Sequence, residues 1–222
     1  MAEVRVIEIH ESITADNDRS AEQIRSKFTA QGTLFLNFMS NPGSGKTTVL
    51  TRLINMLKDE YKIAEMDVDI KSTLDAQRVA DATGVPSVQI HNCGLCHIDA
   101  DMTARALQSL DTDGLDLLIL ENIGNLVCPA EFDTGAHVNV TILSVPEGDD
   151  KPLKYPLMYE VSDVVLINKI DALSYFDFDV EQAKKNVLMR NPAARFFEVS
   201  ARTGEGFDAL AGWVRQEIAA LK

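Results

Sequence analysis

The sequence predicts an α/β fold, with helices on both faces of a mostly parallel central sheet. Apolar runs of strand length alternate with amphipathic segments of helix length from residue 33 to the C-terminus, which is the pattern of successive βαβ units. The first apolar run, TLFLNFM (33–39), is nearly continuous, as expected for a strand covered on both faces. Ligands in such folds bind beyond the carboxyl ends of the strands, so the residues after each strand are the first candidates for function.

The predicted elements follow one another in a regular order. Residues 3–9 alternate as a short strand, and residues 16–32 indicate a capped amphipathic helix that ends at Gly32 and buries Ile24 and Phe28. We therefore expect an N-terminal extension, 1–32, packed on a domain formed by 33–222. Strands are predicted in this domain within 33–39, 62–68, 86–90, 115–122, 138–145, 162–167 and 195–201, and helices within 47–61, 72–84, 99–110, 179–191 and 206–222.

Composition and charge exclude several classes of protein. The formal net charge of −13 disfavours sequence-independent binding to nucleic acid or anionic lipid, because both need a basic surface. No segment approaches the roughly 20 apolar residues that span a bilayer, and the N-terminus lacks the cationic start and apolar core of a secretory signal. We expect a cytoplasmic protein. Its three cysteines then favour metal binding or catalysis over a disulfide framework.

The segment SNPGSGKT (40–47) joins the first buried strand to a helix, which is the setting of a phosphate-binding P-loop, G-x-x-x-x-G-K-[ST]. Backbone amides and the helix N-terminus would surround the phosphates. Lys46 would reach the β- and γ-phosphates, and Thr47 would bind Mg²⁺. The first motif position is Ser40 instead of glycine. The fold class is therefore a P-loop NTPase, and the predicted phosphate-binding residues are Asn41, Pro42, Gly43, Ser44, Gly45, Lys46, Thr47 and Thr48.

Two further motifs indicate that the base is guanine. NKID (168–171) ends a predicted strand and matches N-K-x-D, in which Asp171 would accept hydrogen bonds from guanine N1–H and the 2-amino group. Adenine lacks that pair of donors, so it would leave a buried carboxylate unsatisfied. Asn168 would brace the loop and the Lys169 stem would cover the purine. SARTGEG follows the last strand, and its residues Ser200, Ala201 and Arg202 complete the predicted guanine site, with the Ala201 amide facing guanine O6.

Acidic residues after two strands are candidates for Mg²⁺ and for the attacking water. Glu121 ends the strand LDLLILE, where a Walker-B carboxylate would face the ion. Asp69 and Asp75, in VDIKSTLD, are candidates for a switch loop near the γ-phosphate, or else for a solvated loop and a helix cap. The predicted Mg²⁺ ligands are Thr47, Asp69, Asp75 and Glu121, and the predicted catalytic residues are Lys46, Asp75 and Glu121.

The cysteines lie in loops at the same predicted edge. Cys93, Cys96 and His97 form C-x-x-C-H, a c-type haem pattern, but covalent haem is installed outside the cytoplasm and no export signal is evident. Cys128 follows Glu121 by seven residues. Cys96, His97 and Cys128 can therefore converge as soft ligands that suit Zn²⁺ or Ni²⁺. Three ligands leave one position open, for water or for a second chain across a twofold axis. Each thiol alone could instead be a small buried hydrophobe.

From about residue 10 onward the chain resembles the HypB proteins, GTPases that help deliver nickel to [NiFe]-hydrogenase. The resemblance rests on NPGSGKTTVL, CHIDADM, LLILENIGNLVCPAEFD, VPEGDDKPLKYP, VLINKID and SARTGEG. It implies a GTP-dependent homodimer that binds Zn²⁺ or Ni²⁺ through Cys96, His97 and Cys128. It also implies a HypA-type nickel protein and a hydrogenase large-subunit precursor as partners.

The chain departs from the family pattern in three places. Residues 1–30 contain one histidine and no cysteine, so a separate N-terminal nickel site is not expected. HNC replaces the usual NTG before the Cys-His pair, which makes Cys93 an extra thiol. Val68 stands where a glycine usually precedes the first switch aspartate, Asp69.

The sequence therefore predicts a slow GTPase metallochaperone in which GTP or GDP and Mg²⁺ control the binding of Ni²⁺ or Zn²⁺. A urease-type nickel GTPase is an alternative, although its Cys-Pro-His motif is replaced here by Cys128-Pro129-Ala130. A nucleotide-independent metal storage protein is disfavoured by the guanine motifs and by the low number of histidines. A P-loop small-molecule kinase is disfavoured because no arginine-rich lid is evident.

Overall fold

The computed structural model of the chain describes residues 10–69, 74–91 and 94–222. Within them, seven strands form one sheet in the order β3-β2-β4-β1-β5-β6-β7, and every neighbouring pair is parallel. The predicted α/β class is thus confirmed. The strands are β1 Leu34–Ser40, β2 Ile63–Asp69, β3 Ser87–His91, β4 Leu117–Gly124, β5 Val138–Ser144, β6 Val164–Asn168 and β7 Arg195–Val199.

Eight helices accompany the sheet in the described part of the chain. They are α1 His10–Gln31, α2 Lys46–Leu57, α3 Leu74–Thr83, α4 Ala100–Leu107, α5 Lys151–Lys154, α6 Pro156–Glu160, α7 Val180–Leu188 and α8 Phe207–Leu221. None of these helices is long and apolar enough to cross a membrane. The strand predicted at 3–9 lies outside the described residues.

Helix α1 begins six residues before the predicted start. Asp16, Asn17 and Asp18 favour a helix cap by sequence, but the Asn17 side chain has other partners. Its Nδ2 donates to the Asp133 carbonyl (3.0 Å) and its Oδ1 accepts from the Ala100 amide (2.9 Å). Because this amide ties α1 to the start of α4, it does not cap, and the helix continues through it.

The core lies on both faces of the sheet, as the continuous apolar strands predict. On β1, Leu36 and Phe38 belong to the cluster that α2 and α8 cover. Phe35 belongs to the opposite cluster, with Phe28 and Ile24 of α1, so the predicted buried face of that helix is confirmed. All seven residues of β1 are buried.

The strand register places the functional loops at one edge. Ser40 pairs with Gly124 of β4, Ser144 pairs with Asn168 of β6, and Asn168 pairs with Val199 of β7. The loops after β1, β4, β6 and β7 therefore emerge at the same edge of the sheet, with β5 between β1 and β6. These are the loops that carry the P-loop, Cys128, the N-K-x-D motif and the S-A-R motif.

Candidate nucleotide site and thiol pair

The P-loop is held by residues of the N-K-x-D motif. Asn168 Nδ2 donates to the Ser44 carbonyl (2.9 Å), and Lys169 Nζ donates to the Gly43 carbonyl (2.7 Å). Gly45 has a φ of +97°, and a Cβ there would lie 2.9 Å from Asn168 Nδ2. Only glycine tolerates both the left-handed backbone and this approach. The two motifs are thus one packed unit.

Ser40, the departure from the strict motif, is fully buried and bonds within the loop. Its hydroxyl accepts from Ser44 Oγ (2.6 Å) and from Lys46 Nζ (3.1 Å), and donates to the Asn41 carbonyl (2.9 Å). Glycine at this position has no side chain that could accept a hydrogen bond from Ser44 or Lys46. The serine therefore supplies a hydrogen-bond acceptor for the Lys46 ammonium group.

A cavity of about 540 Å³ opens beside the P-loop. Thr47, Asp69 and Glu121 line it, and Thr47 Oγ1 donates to Glu121 Oε1 (2.8 Å). Three of the four predicted Mg²⁺ ligands are therefore brought together. Asp75 is the second residue of α3, and its side chain lies outside the described part of the structure. The lining residues are Pro42, Gly43, Gly45, Lys46, Thr47, Thr48, Asp69, Arg78, Glu121 and Gly124.

Two carboxylates that sequence reasoning missed lie next to Glu121. One carboxylate oxygen each of Glu65, Asp67 and Glu121 lies within 4.8 Å of the others, and all three residues are buried. Asp67 pairs with Glu121 in the β2–β4 register. The signal was present in the sequence, since Glu65, Asp67 and Asp69 alternate along a strand and so share one face. These carboxyl groups offer, beside Thr47, oxygen ligands of the kind that a hard cation takes.

The predicted guanine-binding residues converge as expected from their motifs. Asp171 Oδ1 accepts from Ser200 Oγ (2.6 Å), and Arg202 Nη1 lies 3.7 Å from Asp171 Oδ2. The Ala201 amide, predicted to face guanine O6, donates here to Asn168 Oδ1 (3.2 Å). The loops after β6 and β7 are thus joined by side chains of both motifs.

Cys96 and Cys128 lie together although 31 residues separate them in sequence. Their sulfurs are 2.7 Å apart. Cys96, in the loop before α4, is exposed, and Cys128, which begins a single 3₁₀ turn after β4, is half-buried. The pKa of the Cys128 thiol is raised, first because of its hydrogen bond with Cys96 and then because of burial. The pair therefore places two potential soft ligands together at the surface.

His97 follows Cys96 in sequence, and its ring packs on an aromatic side chain. It stacks on Phe132 with ring centroids 3.9 Å apart and planes 9° from parallel. Among the described residues, the three-carboxylate cluster is the single group of three potential ligands whose atoms all lie within 4.8 Å. His97 is therefore adjacent to the thiols without completing a three-ligand cluster with them. Cys93 lies outside the described residues.

Comparison with known proteins decides the family. Residues 35–198 match the family described as "CobW/HypB/UreG, nucleotide-binding domain". The hydrogenase maturation factor HypB of Azotobacter chroococcum is 44% identical over 219 residues, which cover 98% of this chain and 71% of that protein. The chain belongs to the HypB group of this family. The probable hydrogenase maturation factor HypB of Methanocaldococcus jannaschii is 36% identical, over 99% of both chains.

Solved HypB structures agree with the fold in detail. The crystal structure of HypB from Helicobacter pylori in complex with nickel has a TM-score of 0.86 at 37% identity, over 92% of this chain and 96% of that one. HypB from Archaeoglobus fulgidus has a TM-score of 0.84 at 36% identity, over 92% of this chain and 99% of that one. The signal recognition particle receptor FtsY shares the fold alone, with a TM-score of 0.54 and 14% identity. The resemblance of the chain to HypB proteins, inferred from its motifs, is confirmed.

Proposed function

We propose that the protein is a slow GTP-hydrolysing metallochaperone that helps insert nickel into a [NiFe]-hydrogenase precursor. In this proposal the nucleotide state controls metal binding and dimerisation. The observation that carries the proposal is that one strand serves both sites. Glu121 and Gly124 of β4 line the phosphate cavity, and four residues after Gly124 the chain reaches Cys128, whose sulfur contacts Cys96.

The nucleotide is GTP or GDP with Mg²⁺. Asp171 and the Ala201 amide select guanine, and the P-loop amides with Lys46 bind the phosphates. Thr47, Glu121, Asp69 and Asp75 would hold Mg²⁺, which neutralises phosphate charge. The hydrogen bond between Thr47 and Glu121 supports this assignment.

Hydrolysis proceeds by positioning and electrostatics, because the motifs supply a lysine and carboxylates and no strong base. Lys46 stabilises charge on the γ-phosphoryl group. Asp75 and Glu121 are the residues proposed to orient water and the ion. This is the physical reason to expect slow turnover.

The cargo is Ni²⁺ or Zn²⁺, held by Cys96, Cys128 and His97. Zinc–sulfur bonds of about 2.3 Å in a tetrahedral site separate two sulfurs by about 3.8 Å. The two thiols, 2.7 Å apart here, would therefore have to move apart to bind one ion together. Since the site lies on the surface, its open position is available to a second copy of the chain, to a HypA-type nickel protein or to the hydrogenase precursor, all expected in the cytoplasm.

Two alternatives remain distinguishable. The relative from Helicobacter pylori is named a hydrogenase/urease maturation factor HypB, at 40% identity over 88% of this chain and 81% of its own, so delivery to urease is the second candidate. A metal storage protein would bind Ni²⁺ or Zn²⁺ equally with and without nucleotide. The packed P-loop and guanine motifs disfavour storage as the sole activity.

The thiol pair is tested by single substitutions. Cys96→Ala and Cys128→Ala should each reduce stoichiometric Ni²⁺ and Zn²⁺ binding in equilibrium dialysis, because one soft ligand is lost. GDP affinity, measured on the same samples, should stay within about twofold and serves as the control for folding. Unchanged metal stoichiometry and affinity in both variants would place the metal elsewhere and contradict the assignment.

A further inference from the structure

We infer that Arg52 is a positioning residue for base recognition, which fixes the guanine-reading loop to the P-loop helix. The inference rests on the proposed function and deepens it. It concerns residues 200–206, here named the SAR loop, and helix α2. None of the sequence motifs includes Arg52, which lies six residues after Lys46 on that helix.

The contacts of Arg52 are with the backbone of the SAR loop. Its Nε donates to the Ala201 carbonyl (2.8 Å) and its Nη2 donates to the Arg202 carbonyl (3.4 Å). The guanidinium carbon lies 5.6 Å from the centre of the Phe207 ring, at the start of α8. One cationic side chain therefore joins the P-loop helix to both ends of the loop.

Gly204 shows that the loop is built around this guanidinium. A Cβ at Gly204 would lie 2.7 Å from Arg52 Nη1, and the backbone there has a φ of +91°. The Gly204 amide donates to the Ser200 carbonyl (2.8 Å) and closes the turn. The missing side chain thus leaves room that the guanidinium occupies.

Ala201 is held at both ends of its backbone. Its N–H donates to Asn168 Oδ1, on the side of the N-K-x-D motif, and its carbonyl accepts from Arg52. The bond to Arg52 holds the Ala201 carbonyl, and the Ala201 N–H, which donates to Asn168 here, would have to be shared with guanine O6. Without the guanidinium the Ala201 carbonyl loses one of the two bonds that hold this residue, so the Ala201 amide is positioned less firmly. Asp171 keeps its own bond to Ser200, so recognition of the 2-amino group does not depend on Arg52.

Arg215 of α8 provides a matched control, because its guanidinium joins α8 to helix α2 but does not contact the SAR loop in the described structure. Its Nη2 donates to the Met56 carbonyl (3.3 Å), and its guanidinium pairs with the carboxylate of Glu60 (2.7 and 2.9 Å). If Arg52 only stabilised α2, then Arg52→Gln and Arg215→Gln would have the same effect on nucleotide binding.

The experiment compares GDP with 6-thio-GDP, in which a sulfur that accepts hydrogen bonds weakly replaces O6. Affinities are measured by competition on the full-length protein, with ADP as the reference for base selectivity. In Arg52→Gln we expect GDP affinity to fall by about three- to tenfold, the range of one hydrogen bond. The affinity for 6-thio-GDP should fall less, so the GDP preference shrinks. Gly204→Ala, which displaces the guanidinium, should do the same, Arg52→Lys should retain part of the preference, and Arg215→Gln should leave it unchanged.

Two results overturn the inference in distinguishable ways. If the wild-type protein prefers GDP over ADP but the ratio of GDP to 6-thio-GDP affinity is unchanged in both Arg52→Gln and Gly204→Ala, Arg52 is only a structural residue and the proposed function stands. If the wild-type protein binds ADP as tightly as GDP, guanine recognition itself fails, and this inference fails with it.

Discussion

At the scale of single residues, Ser40 departs from the P-loop motif and forms hydrogen bonds that the usual glycine could not form. A strict P-loop has glycine at this position, and pattern matching treats serine as a defect. In the structure the hydroxyl is a buried acceptor for Ser44 and Lys46. A buried hydroxyl that loses its hydrogen-bond partner destabilises the fold, because its lost hydration is no longer compensated. The effects on stability of substituting Ser40 and Ser44 should therefore depend on each other.

This dependence predicts a double-mutant cycle. Ser40→Ala should lower the free energy of unfolding of the nucleotide-free protein by about 1–3 kcal/mol, because it leaves the buried Ser44 donor without its acceptor. The double variant Ser40→Ala/Ser44→Ala should cost less than the sum of the single changes. Urea denaturation measures all four proteins. Additive effects would show that the bond between the two hydroxyls contributes nothing.

At the scale of elements, α1 is attached to the sheet through the segment just before β5. Arg25 pairs with Asp133 (2.6 Å) and donates to the Ala136 carbonyl (3.0 Å). His137 Nδ1 accepts from the Phe35 amide (3.0 Å), and its Nε2 lies 3.0 Å from Thr29 Oγ1. These contacts require a neutral imidazole with an unprotonated Nδ1.

This arrangement predicts a pH dependence of stability. Burial and the nearby Arg25 charge lower the pKa of His137 below its usual value, so the unfolded chain takes up a proton before the folded one does. The contribution of His137 is complete above about pH 6.5 and is lost as the pH falls below it. Unfolding measured at pH 7.5 and 5.5 should show a larger loss for wild type than for His137→Asn, which does not titrate. Equal losses would contradict the assignment.

The packing of α1 predicts a large effect at Gly135. A Cβ there would lie 2.7 Å from Ile24 Cβ and 2.9 Å from the Ala21 carbonyl, at a φ of +85°. Gly84 has a similar φ of +76° but no atom within 4 Å of its Cβ position. Gly135→Ala should therefore lower the melting temperature clearly more than Gly84→Ala, and the difference isolates packing from backbone strain. A similar drop for both variants would mean that α1 moves away from the added methyl group without a loss of stability.

Sequence periodicity predicts the elements of this fold well and their tertiary roles poorly. All seven strands of the sheet are found where apolar runs indicated them, because burial on both faces leaves a continuous pattern. The start of α1 was missed because Asn17 bonds to distant backbone instead of capping. Helices α5 and α6 were missed because, at four and five residues, they are too short to show a period. Glu65 and Asp67 join the site through strand register, which is a property of the tertiary fold.

At the scale of the whole molecule, strand order explains why the P-loop and the thiol pair, the two proposed sites, adjoin. β4 lies between β1 and β2, so its carboxyl end emerges beside the P-loop, and the chain that leaves it reaches the thiols. Gly124 packs closely against Pro42 of the P-loop, since a Cβ at Gly124 would lie 3.1 Å from Pro42 Cγ. The end of β4 is therefore in direct contact with the P-loop. A change at the phosphates thus has a short covalent path to Cys128. Coupling between two ligands is reciprocal, so metal should also change nucleotide affinity.

The most direct test of this coupling is the affinity for Ni²⁺ and Zn²⁺ in two nucleotide states. Chelator competition is measured on the protein loaded with Mg²⁺ and either GDP or a non-hydrolysable GTP analogue, with the oligomeric mass recorded for each sample. We expect the metal affinities of the two states to differ by at least fivefold, the lower end of typical allosteric coupling, and the difference to disappear in Cys128→Ala. Equal metal affinities in the two states would contradict the account.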